Sequence, residues 1–465
     1  MPDHSAPPIV PSLGLLVSYL IVFWPVLYSW WFVRSAGYPR LPSGKLPGEP
    51  NAPAVCPACE AEKGANGQAM PQREPPPRIE QRRGRRRCID TSSHFCPNRK
   101  CRYYGWVGLG NLRANGHPNG GRWRQFECTV CHRAFLETVN TIFYRKQVKA
   151  EVIWQVLTCL AEGVGIRKTA RIFGLDPNTV QGWLRQAAKH MEAVSHYLIH
   201  DLHLTQVQVD ELWALLGKRA GEGRHKLWVW VGVDAASKLW LETVIGDRSQ
   251  ACAQLLIHAI VLLLAPGCLP LFTSDQWSAY AAALLTHFGQ WVATPRRYSQ
   301  GRPPKPRWQA LPGLLYAQVV KQRLKGRVVS VTQRAVFGSL EANQAALKLS
   351  GVGQVINTAF IERLNLTIRQ HVAALGRKVG DLAKTIAGLK DQLSLARAYH
   401  NFCLPHASLR LPLPQPLPTR GNGSPKKWQP RTPAMAAGLT DRIWRMEELL
   451  LLRIPPWRQD AVTAL

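Results

Sequence analysis

Acidic side chains are scarce in this chain. Its 465 residues include 29 Asp and Glu against 59 Lys and Arg, a formal net charge of +30. That imbalance argues against basic partners and for polyanions, nucleic acid first, with acidic proteins or a membrane surface as rivals. Cysteine is thin outside one region: seven of the eleven lie between Cys56 and Cys131. Six of these seven fall in pairs at metal-like spacing, unlike the disulfide framework of a short secreted chain, which favours a reducing, cytoplasmic compartment. No internal repeat is present. What is not lacking is apolar residues: 46% hydrophobic composition and 17 Trp exclude wholesale disorder. The length allows roughly two to four domains.

Ile9 to Val33 is 25 residues without a charge, long enough to span a bilayer. No Lys or Arg precedes it and no small-residue cleavage site follows, so a secretory signal fits poorly. Arg34, Arg40 and Lys45 come after it, which would keep the remainder cytoplasmic. Residues 1–34 are therefore a hydrophobic leader or a transmembrane segment, and membrane association through 9–33 stands beside a cytoplasmic, nucleoid-associated location.

Residues 35–87 read as a Pro- and Arg-rich linker ending in the basic run Gln81 to Arg87. Residues 88–140 hold the main cysteine cluster. Helical periodicity takes over in 145–200, with Val148, Val152, Val156 and Leu160 spaced by four. Residues 205–404 mix β-rich runs with helices around a basic insertion at 296–340. Residues 405–465 form a Pro-rich tail ending in a short amphipathic helix (Leu439 to Leu452).

Cys96-x4-Cys101 and Cys128-x2-Cys131 are two knuckles able to close one tetrahedral four-cysteine zinc site. The spacing resembles a zinc ribbon, and a closed site is structural rather than catalytic. Cys56, Cys59 and Cys88 would need a histidine such as His94 to hold a second metal.

Gly165 to Gly174 followed by Leu175 to Leu184 reads as a helix-turn-helix, with Asp176 as cap and Pro177 in the first helical position. Val180, Trp183, Leu184 and Ala187 would pack inward. Asn178, Thr179, Gln181, Arg185 and Lys189 would face outward, side-chain types that touch phosphates and base edges.

Val207 to Trp213 reads as a strand whose alternation places Asp210 with Gln206 and Gln208, and Glu211 with Val207 and Val209. Leu227–Val233 and Leu239–Ile245 form a hairpin through Asp234, an acid assigned to the turn. Leu269 to Asp275 is a short strand ending on an acid. Asn357 to Arg369 reads as a helix bearing Glu362, Asn365 and Arg369 on one face. Asp210, Asp275 and Glu362 would hold two divalent cations for in-line phosphoryl displacement, and hard Mg²⁺ or Mn²⁺ suits carboxylates. Between Asp275 and Glu341 there is no acid but ten Lys or Arg, a composition suited to a polyanionic substrate.

These features, in this order, with Val209-Asp210-Glu211-Leu212-Trp213, Thr273-Ser274-Asp275-Gln276-Trp277, Ile361-Glu362-Arg363-Leu364-Asn365 and the tail stretch Trp428 to Pro433, resemble bacterial insertion-sequence transposases of the DDE class, closest to the insertion-sequence-one type. The resemblance covers roughly residues 56 to 452, and the hydrophobic leader lies outside it. It implies a multidomain α/β fold: an RNase H-like catalytic domain preceded by a zinc ribbon and a helix-turn-helix domain. It also implies the triad Asp210, Asp275 and Glu362 with Mg²⁺ or Mn²⁺, structural Zn²⁺, and Arg369 as a contact to end DNA. The implied partners are terminal inverted repeats, target DNA and further copies of the chain in a dimer or larger synaptic complex. The alternative is a zinc-ribbon/helix-turn-helix transcriptional regulator whose RNase H-like domain is inactive.

Overall fold

The computed structural model describes residues 74–79, 89–217, 225–293, 305–377, 380, 382–419 and 423–459. The leader at 9–33, the basic run 81–87, Cys56, Cys59, Cys88, Arg296, Arg297 and Arg302 lie outside the described residues. Among the described residues, no helix is long and apolar enough to cross a membrane.

The first described unit is a small antiparallel sheet of β1 (Leu112–Ala114), β2 (Gln125–Cys128) and β3 (Ala134–Leu136). Leu112, Phe126 and Phe135 fill its interior together with Tyr103 and the buried cysteines. So short a sheet has too little apolar surface to hold itself together, which is the situation that calls for a metal or a partner surface.

Three helices follow: α1 (Ala150–Ala161), α2 (Ile166–Phe173) and α3 (Pro177–Leu198). The spacing of four is realised in part. Val156 and Leu160 are buried, but the inward face of α1 also carries Ile153 and Leu157, while Val148 lies before the helix and is exposed. Gly174 ends α2 in the left-handed region (φ 63°), and the N–H of Leu175 reaches back to the Ala170 carbonyl at 2.9 Å. Asp176 then caps α3, its Oδ1 accepting from the N–H of Asn178 at 2.8 Å. Val180, Trp183, Leu184 and Ala187 are all buried, as their spacing requires.

The central body is a six-stranded sheet in the order β11-β10-β7-β4-β5-β6. The strands are β4 (Gln206–Leu216), β5 (His225–Asp234), β6 (Trp240–Gly246), β7 (Leu271–Asp275), β10 (Tyr316–Leu324) and β11 (Arg327–Phe337). β4, β7 and β10 run parallel, while β5 is antiparallel to β4 and to β6. Reading only the first five sheet strands in chain order gives 3-2-1-4-5, a mixed α/β arrangement compatible with an RNase H-like domain. On one face α4 (Gln250–Val261) and α5 (Ala279–Phe288) pack Leu256, Ile257, Ile260 and Tyr280 against Val207, Val209 and Trp230. On the other, α7 (Ala359–His371) and α8 (Ile386–Ala398) pack Ile361, Leu364, Leu389 and Leu393 against Leu212, Ala214, Val229 and Val231. The two faces are those that alternation along β4 dictates.

Of the stretch 296–340, read above as a basic insertion, the described residues 305–340 contribute strands. The small hairpin of β8 (Gly289–Val292) and β9 (Arg307–Ala310) precedes β10, and β10 pairs directly with β7. Tyr316, Ala317 and Val319 are buried in that pairing, whereas the Lys and Arg residues gather towards the far ends of β10 and β11. α6 (Leu340–Leu349) leads on to α7. The tail pairs β12 (Leu411–Leu417) with β13 (Lys426–Gln429), then forms the short helices α9 (Pro433–Ala436) and α10 (Met446–Leu451). α10 packs on α1 and α3, and the Leu449 carbonyl lies 2.9 Å from Nε2 of His190.

The Asp176 cap is local and testable. Asp176→Ala should lower unfolding free energy by about 1 kcal/mol in denaturant titrations, the usual cost of losing an N-cap acceptor. No loss would mean that α3 starts without it.

Candidate active site and zinc centre

β4 and β7 pair in parallel through Gln206↔Leu271, Val207↔Phe272 and Gln208↔Thr273. Carrying that register on by two residues sets Asp210 level with Asp275, the last residue of β7. Carboxylate oxygens of Asp210, Glu211 and Asp275 all lie within 4.8 Å of one another, close enough to hold a divalent cation. Glu211 belongs to the opposite face of β4 by alternation. Because β7 stops at Asp275, nothing separates the faces beyond it, and the longer Glu211 side chain reaches the same place.

Each acid has its own surroundings. Glu211 is 8% exposed; it accepts from Arg248 Nε at 2.9 Å and NH2 at 2.6 Å, and from the Tyr280 hydroxyl at 2.9 Å. The Arg248 guanidinium is in turn 4.9 Å from the Trp228 ring and 5.3 Å from the Trp277 ring. Burial raises the pKa of Glu211, as does the charge of Asp275, against the lowering effect of Arg248 and Tyr280. Asp210 accepts from the Asn365 side-chain amide at 2.7 Å. Its pKa is raised to about 7, first by burial and then by the charges of Asp275, Glu211 and Glu362, while the backbone N–H of Glu211 works the other way. Glu362 lies on α7, half-exposed, ion-paired with Lys321 of β10 and 3.2 Å from the Thr358 hydroxyl. Of the expected triad, Asp210 and Asp275 thus sit together with Glu211, and Glu362 stands at their edge, turned towards Lys321.

Behind Asp275, the Ser274 hydroxyl lies 2.7 Å from that of Tyr316, which also accepts from Gln318 Nε2 at 2.8 Å. Gln208 fixes α7 from the sheet: its Nε2 donates to the Asn357 carbonyl at 2.8 Å and its Oε1 accepts from the N–H of Ile361 at 3.0 Å. This buried glutamine sets how far Glu362 and Asn365 stand from Asp210. Arg369 uses its guanidinium on the carbonyls of Trp213 and Leu375, each at 3.3 Å. Asp234 has the turn role expected of it, accepting from the Ser237 N–H at 2.8 Å.

Asn178, Thr179, Gln181, Arg185 and Lys189 are all exposed on α3. Asn178 and Gln181, however, line a cleft of about 440 Å³ shared with Leu382, Thr385 and Gln392 at the start of α8, so their face looks towards the central body.

The sulfurs of Cys96, Cys101, Cys128 and Cys131 also lie within 4.8 Å of one another. Two of the separations are 3.6 Å (Cys96 to Cys131) and 3.9 Å (Cys101 to Cys128). A zinc–sulfur bond of about 2.3 Å gives a tetrahedron with edges of ~3.8 Å, so this donor set fits zinc. The Asn111 amide points at the Cys128 sulfur (3.6 Å) and the Tyr103 N–H at that of Cys101 (3.4 Å). Both donors favour thiolate. The close approach of Cys96 and Cys128, with the N–H groups of Cys131 and Val130 and the Asn111 amide, pulls the pKa of Cys128 down, and that of Cys96 is pushed up. His94, considered for a second metal, packs on Phe126 with ring centroids 4.4 Å apart.

Glu211, Arg248, Tyr280 and Lys321 had not been expected at the site. The only sequence signal was the adjacency of Glu211 to Asp210, which strict alternation argues against.

No known family model matches the chain, and neither does any curated protein. The insertion-sequence-one type therefore has no family support. A solved structure it resembles in part is described as the crystal structure of the Mos1 strand transfer complex, at 11% identity and a TM-score of 0.12. That match covers 30% of this chain and 55% of the other, about half the neighbour's length. So weak a likeness carries no argument about chemistry.

The raised pKa of Asp210 has a consequence for stability. The folded chain holds this proton more tightly than the unfolded one, whose carboxyl has the ordinary value of 3.8. The contribution is therefore lost as pH rises from 3.8 through about 7. Asp210→Asn should flatten that fall and leave the metal-free chain more stable than native above neutrality, by a few degrees in Tm. It should also remove most of the stabilisation that Mg²⁺ or Mn²⁺ gives the native chain. Parallel Tm–pH curves for the two proteins would remove Asp210 from that role.

Proposed function

We propose that the chain is a DDE-class transposase that cleaves and joins DNA by metal-dependent phosphoryl transfer. The observation that carries this reading is the convergence of Asp210 and Glu211, midway along β4, with Asp275 at the end of the adjacent parallel strand β7, and with Glu362 and Asn365 beside them on α7. Buried carboxylates are held this close only at a cost in repulsion and desolvation, which a bound cation offsets. Two divalent cations held by these acids would supply the charge that stabilises the attacking and leaving oxygens of a scissile phosphate.

The protein's own groups then divide the work. Asp210 and Asp275 would offer oxygens to the cations, with Asn365 fixing the orientation of Asp210. Glu362 would complete the set by leaving Lys321, whose ammonium is then free to meet a DNA phosphate. Arg248 and Tyr280 hold Glu211 in place. The net charge of +30 and the basic ends of β10 and β11 suit a polyanionic substrate. In this reading the ribbon and the α2–α3 helix-turn-helix would bind the terminal inverted repeats through Asn178, Thr179, Gln181, Arg185 and Lys189. Arg369 would act on end DNA. The 3′ end would be nicked by water, and the freed 3′-OH would attack target DNA within a dimer or larger synaptic complex.

One observation favours the regulator instead: Glu362 is paired with Lys321 rather than grouped with the other acids. The two readings part in a nicking assay with Mg²⁺ or Mn²⁺ on a duplex bearing the element's terminal repeats. Specific 3′-end cleavage is expected, abolished by Asp210→Ala, Asp275→Ala or Glu362→Ala with end binding kept. Lys321→Met should tighten Mn²⁺ binding in the absence of DNA a few-fold, since an exposed ion pair is worth up to ~1 kcal/mol. Tight end binding without cleavage in either metal would establish the regulator.

A further inference from the structure

The C-terminal segment after α10 does not trail away; it folds over the first cysteine knuckle. Gly105, in the left-handed region at φ +76°, has no room for a side chain: a Cβ there would lie 2.7 Å from Pro456 and 2.8 Å from Trp457. Trp457 meets Trp106 and Tyr104 edge-on, with ring centroids 5.3 Å and 6.0 Å away. Gln459 accepts from the Val107 N–H at 3.1 Å and donates to the Gly105 carbonyl at 2.6 Å. Arg122, in the loop between β1 and β2, is ion-paired with Glu447 of α10 and Glu151 of α1.

Within this contact lies Arg453, 3% exposed, with none of its three guanidinium nitrogens hydrogen-bonded. It stands 4.4 Å from the Phe95 ring and 5.0 Å from the Phe135 ring, one residue before the first zinc ligand and on the strand after the last. Two acids line the cavity beside it, and neither bonds to it: Glu137 accepts the N–H of Arg124 and Glu448 pairs with Arg445. A buried cation held only by ring faces is expensive unless a negative charge lies nearby. Arg453 is a cation at neutral pH, and its stacking on Phe95, the residue before Cys96, and on Phe135, which packs in one core with Cys96, Cys101 and Cys128, sets it against the cluster.

Four thiolates around one Zn²⁺ carry a net charge of −2 by simple valence, and the described ribbon offers no other buried cation beside them. We infer that Arg453 is the counter-ion of the zinc–tetrathiolate centre, so that metal binding and docking of the segment Leu452–Gln459 are coupled. The inference rests on the zinc reading of Cys96, Cys101, Cys128 and Cys131. Arg453 is a positioning residue here: it touches neither metal nor substrate. Because coupling is reciprocal, the segment tightens zinc by the same factor by which zinc tightens the segment.

The test uses the full chain and zinc alone. Zinc affinity is read by competition with a chromogenic chelator, and order in the tail by amide hydrogen exchange. Arg453→Met, which keeps the volume, should weaken zinc by about 10–100-fold, the usual effect of losing a group that supports the ligands. Arg453→Lys, which keeps the charge, should stay within a few-fold of native. In the native chain, adding zinc to the metal-stripped protein should slow exchange across 452–459 and at Val107, a readout that needs no variant. Native affinity in Arg453→Met, or tail exchange indifferent to zinc, would overturn the coupling. Unchanged zinc content in Cys101→Ser and Cys131→Ser would instead overturn the zinc site itself.

Discussion

The structure depends on the cost of holding negative charge in one small, half-dry place. Three carboxylates converge where β7 ends, and unlike most buried charges they are not simply paired off. Glu211 has Arg248 and Tyr280, and Glu362 has Lys321. Asp210 has the Asn365 amide and the Glu211 N–H, both neutral, and burial with the neighbouring acids raises its proton affinity. Asp275 accepts from the Trp277 N–H, so among the described contacts the shortfall of positive charge falls on these two acids, which sit level with each other. A cation placed there relieves the repulsion for all three acids at once, whereas a side-chain cation would relieve it for one. That asymmetry argues for a metal site rather than a structural ion-pair network.

The scaffold serves this arrangement. Parallel pairing of β4 with β7 fixes the register of two acids without either being in a flexible loop, and the buried Gln208 ties α7 to the same strand. The Trp228 and Trp277 rings flank Arg248, which keeps its guanidinium on Glu211. Such support is what a site needs if its geometry is to hold within fractions of an ångström. Glu362, half-exposed and paired with Lys321, is the acid held least firmly by this scaffold.

What could be read from the sequence was what short-range physics determines. Alternation assigned the two faces of β4, Gly174 and Asp176 marked the turn and cap between α2 and α3, and Asp234 was recognised as a turn residue. Cysteine spacing predicted which four sulfurs would meet. What could not be read depends on where strands end and on distant partners. Glu211 joins Asp210 only because β7 is five residues long, a fact no property of β4 discloses. β10 was hidden because its apolar stretch, Tyr316 to Val319, is embedded in a run of cations that dominates composition. Lys321 meets Glu362 across 41 positions, and Gln459 meets Gly105 across 354, separations at which local pattern carries no signal.

The last of these contacts bears on how the parts of the chain act together. The cysteine ribbon is too small to be stable on apolar burial alone, and it lies between two supports: the four sulfurs at its centre and the tail packed over its knuckle. The same tail, through α10, rests on α1 and α3, with Arg122 joining ribbon, α1 and α10 in one ion-pair group. The segment 446–459 therefore connects the ribbon to the helices that precede the central sheet, and a change in its docking would be felt at both. A strap closing over the ribbon ties these parts together without extending the central sheet.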